Sequence, residues 1–179
     1  MTRTALHLPP LCAAVALAVA AAVVRADELG EIQRLHAAGQ DAAALQRTER
    51  ALGAKPKDPQ LRFMQGVLLA DARRNAEAVA VFERLMQDYP ELAEPYNNVA
   101  ALYAAAGDYE RAKSALEQAL RANPGLVTAQ ENLGDIYAML ASRAYARAAQ
   151  MDPHNTTLPS KLATIRQMLA PKSTPTAAR

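Results

Sequence analysis

The sequence has no tryptophan, a single cysteine (Cys12), only eight aromatic residues and three histidines, and its 20 basic and 18 acidic side chains nearly cancel. Each scarcity excludes something. One thiol cannot build a disulfide framework or a cysteine-based metal cluster. So few aromatic rings argue against a sheet-rich core. A net charge of +2 over 179 residues provides no basic stripe for nucleic acid or anionic lipid. Glycine-rich phosphate loops are missing as well. Charged residues at 21% and a mean hydropathy of −0.13 exclude both a polytopic membrane protein and a fully disordered chain.

What is abundant is alanine, which supplies nearly half of the 51% hydrophobic fraction. That bias favours helices packed closely together. The segment 1–26 reads as a secretory signal, with Arg3 as the positive flank, an apolar run from Leu11 to Val24, and Val24-Arg25-Ala26 before the cleavage point. Such a run rises about 21 Å as a helix, short of the roughly 30 Å hydrocarbon core, so a cleaved signal is favoured over an uncleaved anchor. Cys12 leaves with it. The mature chain then begins at Asp27 and is charge-neutral, because Arg3 and Arg25 are lost and every acidic residue stays. A periplasmic or secreted location is the corresponding expectation, with no contact to membrane beyond the export signal.

Pro56, Pro90 and Pro124 recur at a constant spacing of 34, and so do Ala44, Ala78 and Ala112, as well as Leu35, Leu69 and Tyr103. Three registers with one interval signal a repeat architecture. The third unit carries Tyr96, Val99-Ala100, Tyr103, Ala112, Leu116, Ala119 and Pro124. The second carries Gly66, Leu69, Ala78, Phe82 and Pro90, with Arg62 where a bulky residue opens the unit. The first keeps Leu35, Gly39, Ala44, Ala51 and Pro56. On these residues the chain resembles the tetratricopeptide repeat family, in which each unit is a pair of antiparallel helices. The resemblance implies an all-α fold, a right-handed α-solenoid of about four helix hairpins. The units read as 27–56 (degenerate), 57–90, 91–124 and 125–153.

Local signals agree with these boundaries. Asp58-Pro59 reads as a cap followed by proline in the first turn, Asn75 and Asp108 stand where second helices begin, and Gly39 and Gly107 occupy the turns before them. Gly66, Ala78, Ala100, Ala112 and Gly134 recur where helix backbones would approach closely. The fourth unit opens with Leu133-Gly134 and Tyr137 and closes with Tyr145, Ala148 and Pro153, yet Pro153 follows Pro124 at a spacing of only 29. The five missing residues are those of the inter-helix turn, and no glycine, proline or asparagine replaces them. Val127 to Met151 therefore reads as one continuous helix, in preference to a kinked hairpin near Ser142. In the segment 154–170, a helix from Thr156 to Ala170 would carry Leu158, Leu162, Ile165 and Leu169 on one face, which suits a helix capping the array or one docking on a partner. Residues 171–179 read as a disordered tail.

No catalytic constellation can be assembled: His36 and His154 fall at opposite ends of the array, and acidic pairs such as Glu91 with Glu94 read as solvated faces. The expectation is a protein without enzymatic activity, metal or cofactor. The family resemblance implies instead a concave groove lined by the first helix of each unit. Its residues here would be Phe63, Met64 and Val67, then Asn97, Asn98 and Ala101, then Glu131, Asn132 and Asp135. The implied occupant is a protein or peptide. Family members that clamp a terminal carboxylate use lysine and arginine at such positions, and none stands there, so acidic C-termini are not expected ligands.

Overall fold

The computed structural model describes residues 28–169. The signal with its cleavage site after Ala26, and the tail 171–179, lie outside the described residues. Among those described, every regular element is a helix. They are α1 (28–37), α2 (Asp41–Ala54), α3 (Pro59–Asp71), α4 (Asn75–Asp88), α5 (Ala93–Ala105), α6 (Tyr109–Ala122), α7 (Val127–Met151) and α8 (Leu158–Leu169). This is the α-solenoid of helix hairpins implied by the sequence repeat. The chain divides into two compact units, one up to Val81 and one from Phe82.

Each hairpin is closed by the same turn. Gly39 donates to the His36 carbonyl and Gln40 to that of Leu35; Arg73 donates to Ala70 and Arg74 to Leu69; Gly107 donates to Ala104 and Asp108 to Tyr103. This pairing satisfies the orphan carbonyls of a helix end and places one residue in the left-handed region. Gly39 (φ 71°) and Gly107 (φ 78°) take it without a Cβ penalty, whereas Arg73 takes it at φ 61°. In the fourth unit the residues that would make this turn are the ones missing, and the chain runs on through α7 without turning. The next helices start on caps of their own: the Asp58 carboxylate accepts from the Gln60 and Leu61 amides, and that of Asp108 from Arg111.

In the first unit Ile32, Ala44, Leu61, Met64 and Leu68 form the core, flanked by Leu29, Leu35, Leu45, Ala51 and Leu52. Thr48 is fully buried there and donates its hydroxyl to the Ala44 carbonyl at 2.8 Å, so no polar atom is left orphaned. Arg47 grips Glu28 with two bonds of 3.0 and 3.3 Å, tying α2 to α1. His36 Nδ1 lies 2.8 Å from the Asp41 carboxylate and its Nε2 3.6 Å from that of Asp71.

In the second unit α5 and α6 pack as a hairpin that buries Ala93, Tyr96, Val99 and Ala100 against Ala112, Ala115, Leu116 and Ala119. Alanine at Ala100 and Ala112 permits the close approach that a larger side chain would prevent. The Tyr103 hydroxyl donates to Glu83 at 2.7 Å and accepts from Arg111 at 2.6 Å. Burial pushes its phenol above the ordinary tyrosine range, and the bond to Glu83 acts in the same direction.

α7 is a single helix of 25 residues with no break at Ser142. Its first half buries Ala129, Leu133 and Ile136 and packs on α6 and α5. Arg143 anchors its middle, donating to the Gly107 carbonyl at 2.8 Å and stacking over the Tyr109 ring at 4.2 Å. α8 packs on α7, with Leu158 buried and Leu162, Ile165 and Leu169 less exposed than their polar neighbours, and with Lys161 over the Tyr145 ring. It starts two residues later than the expected Thr156, because the Asn155 side chain accepts from both the amide and the hydroxyl of Thr157 and so holds a turn there.

Gly134 departs from the expected packing row. It is exposed, and a Cβ built on it meets nothing within 4 Å. The row depends on a second helix folding back over the first, and in the fourth unit the chain runs straight on.

Two pairs of substitutions test these assignments. Arg73→Gly removes the left-handed strain and is expected to stabilise the protein by about 1 kcal/mol. Gly107→Ala adds that strain, along with a Cβ only 3.3 Å from Arg143 Nη2, and is expected to cost about 1–2 kcal/mol. Opposite shifts in urea midpoint for the two variants are the expected result. Ala112, fully buried, is expected to lose about 1–3 kcal/mol on replacement by leucine, while the same change at exposed Ala105 costs a small fraction of that. Equal losses in denaturant melts would overturn the helix register.

Candidate functional site

The proposed groove residues fall into both units, and each set is described within its own. In the first unit Phe63, Met64 and Val67 follow one another on α3. Leu61, Met64 and Leu68 share the helical face turned toward α1 and α2, and Met64 is 7% exposed inside that core. It is therefore a packing residue, not a groove residue as the sequence suggested. Phe63 and Val67, four residues apart on the neighbouring face, are half-buried.

In the second unit the polar residues are supplied by two first helices, α5 and α7. Asn132 donates its side-chain amide to the Asn97 side-chain oxygen at 2.9 Å, linking α7 to α5 across 35 residues of sequence. Ala101 lies one turn beyond Asn97 and is exposed. Glu131 and Asp135 are exposed on α7 beside Asn132. The structure thus brings Asn97 and Asn132 together in a half-buried amide bridge. Ala101 on α5 and Glu131 and Asp135 on α7 are exposed on the same two helices.

Asn98 is not part of this arrangement. Its side-chain amide donates to the Glu94 carbonyl of its own helix at 2.9 Å, the ordinary back-bond of a short polar side chain one turn along. Adjacent helical residues point about 100° apart, so α5 directs Asn97 and not Asn98 at α7. The pairing of Asn97 with Asn132, and not with its repeat equivalent at 131, was missed from sequence. Its signal was two asparagines standing one residue off the repeat interval.

Among the described residues no group of three or more His, Cys, Asp or Glu side chains gathers in a geometry able to hold a metal, and no helix is long and apolar enough to cross a membrane. The arrangement offers hydrogen bonding and acidic surface, chemistry for recognising a polypeptide.

The two asparagines separate in a simple experiment. Asn132→Ala removes a bond between helices and is expected to cost about 0.5–1.5 kcal/mol. Asn98→Ala removes a bond within one helix and replaces asparagine by the strongest helix former, so its melt is expected to stay within about 0.5 kcal/mol of wild type. Comparable losses in both would mean that the amide bridge contributes nothing.

Comparison with known proteins places this geometry in a family. Solved structures of the same fold include the first tetratricopeptide domain of human RPAP3 (20% identity, TM-score 0.61, covering 65% of this chain and 92% of that one). A second is a MamA protein (16% identity, TM-score 0.58, 78% and 79%). A third is an O-GlcNAc transferase mutant from Thermobaculum terrenum (23% identity, TM-score 0.59, 68% and 23%). The first domain of Spaghetti (RPAP3) also matches, at 19% identity and a TM-score of 0.60 over 64% of this chain and 90% of that one, in a complex with the HSP90 peptide SRMEEVD. None of the curated proteins matches the sequence. Two family models described as tetratricopeptide repeat match residues 29–93 and 93–126, and the chain belongs to the tetratricopeptide repeat family.

Proposed function

We propose that the protein is a non-catalytic adaptor of the periplasm or cell envelope that holds a protein or peptide partner on the surface of the first helices α5 and α7. The observation that carries this reading is the surface around the Asn97–Asn132 bridge, with Ala101, Glu131 and Asp135 exposed on the same two helices. Ala101 leaves room for a main chain to approach, and the carboxylates accept hydrogen bonds from its amides or pair with basic side chains. The Spaghetti domain with its bound HSP90 peptide gives a family precedent for peptide capture. A peptide as acidic as that one is disfavoured here, since Glu131 and Asp135 would repel it and neither lysine nor arginine stands at the groove positions. The envelope location rests on the signal-like segment 1–26 alone.

Two measurements test the proposal. N-terminal sequencing of the protein purified from its own host is expected to begin at Asp27 in the soluble fraction; Met1 retained on detergent-extracted protein would favour an anchored adaptor. A photo-crosslinking amino acid at Ala101, introduced in intact cells, is expected to capture one or two fixed proteins. The same group at Gln118, exposed on second helix α6, is expected to capture none of them. Many unrelated captures would indicate a chaperone for unfolded clients, a fixed enzyme would indicate a regulatory subunit, and no capture at Ala101 would remove the groove from consideration.

A further inference from the structure

The fourth unit leaves one helix face without the cover its equivalents have. Gln130, Gly134 and Tyr137 on α7 hold the repeat positions of Tyr96, Ala100 and Tyr103 on α5. On α5, Tyr96 and Ala100 are buried and Tyr103 half-buried, in a hairpin with α6. On α7 all three are exposed, Tyr137 by 51%. The residues that should cover them are present in the sequence. Ala141, Tyr145 and Ala148 correspond to Ala112, Leu116 and Ala119 of α6 once the five missing residues are allowed for.

They cannot reach that face within one molecule. Ala100 and Ala112 are twelve residues apart, with a turn between them, whereas Gly134 and Ala141 are seven apart on one unbroken helix. A seven-residue helical segment is a rod about 10 Å long. α8 does not substitute, because it packs on α7 and still leaves Gly134 and Tyr137 exposed.

We propose that a second copy of this chain covers the face, with the two α7 helices running antiparallel and crossing near Tyr137 and Ala138. Gly134 would then lie against Ala141 of the partner subunit, with Tyr137 at the crossing point. The same contacts recur in the opposite sense. The midpoint between Gly134 and Ala141 falls between residues 137 and 138, so a single two-fold axis there rebuilds both missing hairpins at once. Such a closed, self-complementary interface is the commonest route to a dimer, and loss of a hinge turn is a low-cost way to exchange an element between protomers. The stripe Gln130, Gly134, Tyr137 and Ala141 follows spacings of four, three and four, the seam of two helices packed along their length. Glycine at its centre lets the two backbones approach closely.

Sedimentation equilibrium of the chain purified from its own host, at about 10–200 µM, is expected to give twice the monomer mass. Gly134→Arg places a long cation on a position with open space in the single molecule, so it leaves the helical melt of the monomer intact and is expected to weaken the dimer at least about tenfold. Inserting a copy of Ala106–Glu110 between Met139 and Leu140 restores the missing turn in register and is expected to give a monomer. A monomer at about 200 µM for the unaltered chain would overturn the proposal. So would a dimer whose dissociation constant is unchanged by both variants, since it would then use another surface.

Discussion

The structure depends on one backbone constraint, a left-handed residue placed once in each of the first three repeats. Residues 39, 73 and 107 each stop a helix by taking positive φ, and the two hydrogen bonds that follow return the chain antiparallel to itself. The hairpins, the alanine contacts between α5 and α6 and the placing of α7 beside α5 all follow from that reversal. Where the fourth unit lacks the turn residue and fails to reverse, the second helix of the unit is carried away from the first, and a glycine that packs well elsewhere in the register stands in solvent.

Much of this was legible in the sequence because helix ends are local events. Asp58, Asp108, Gly39 and Gly107 act through bonds to residues within a few positions, so their identity suffices to place them. The uninterrupted α7 could be read the same way, from the missing turn residues. Arg73 was not legible as a turn residue, because arginine carries no preference for positive φ; only the repeat interval points to it. Tertiary context there overrides propensity.

The groove was less legible. Its residues were assigned from register alone, and register fixes which turn of a helix a residue occupies more surely than which way it points. Met64 and Asn98 show the two ways this fails. A methionine one residue from the edge rotates into the core with Leu61 and Leu68, and an asparagine bonds back to its own helix. Asn97 and Asn132 find each other because α5 and α7 lie side by side, a relation that no spacing within either helix encodes.

Arg143 measures a length. Its guanidinium reaches the Gly107 carbonyl across 36 residues, through all of α6 and the turn that follows it, and stacks on the Tyr109 ring at the start of α6. An insertion or deletion within α7 ahead of Arg143 shifts the guanidinium by one helical step, about 1.5 Å of rise and about 100° of rotation. The bond and the ring stacking are then lost together. The register of Arg143 on α7 thus behaves as a ruler that sets how far α7 advances along its neighbour.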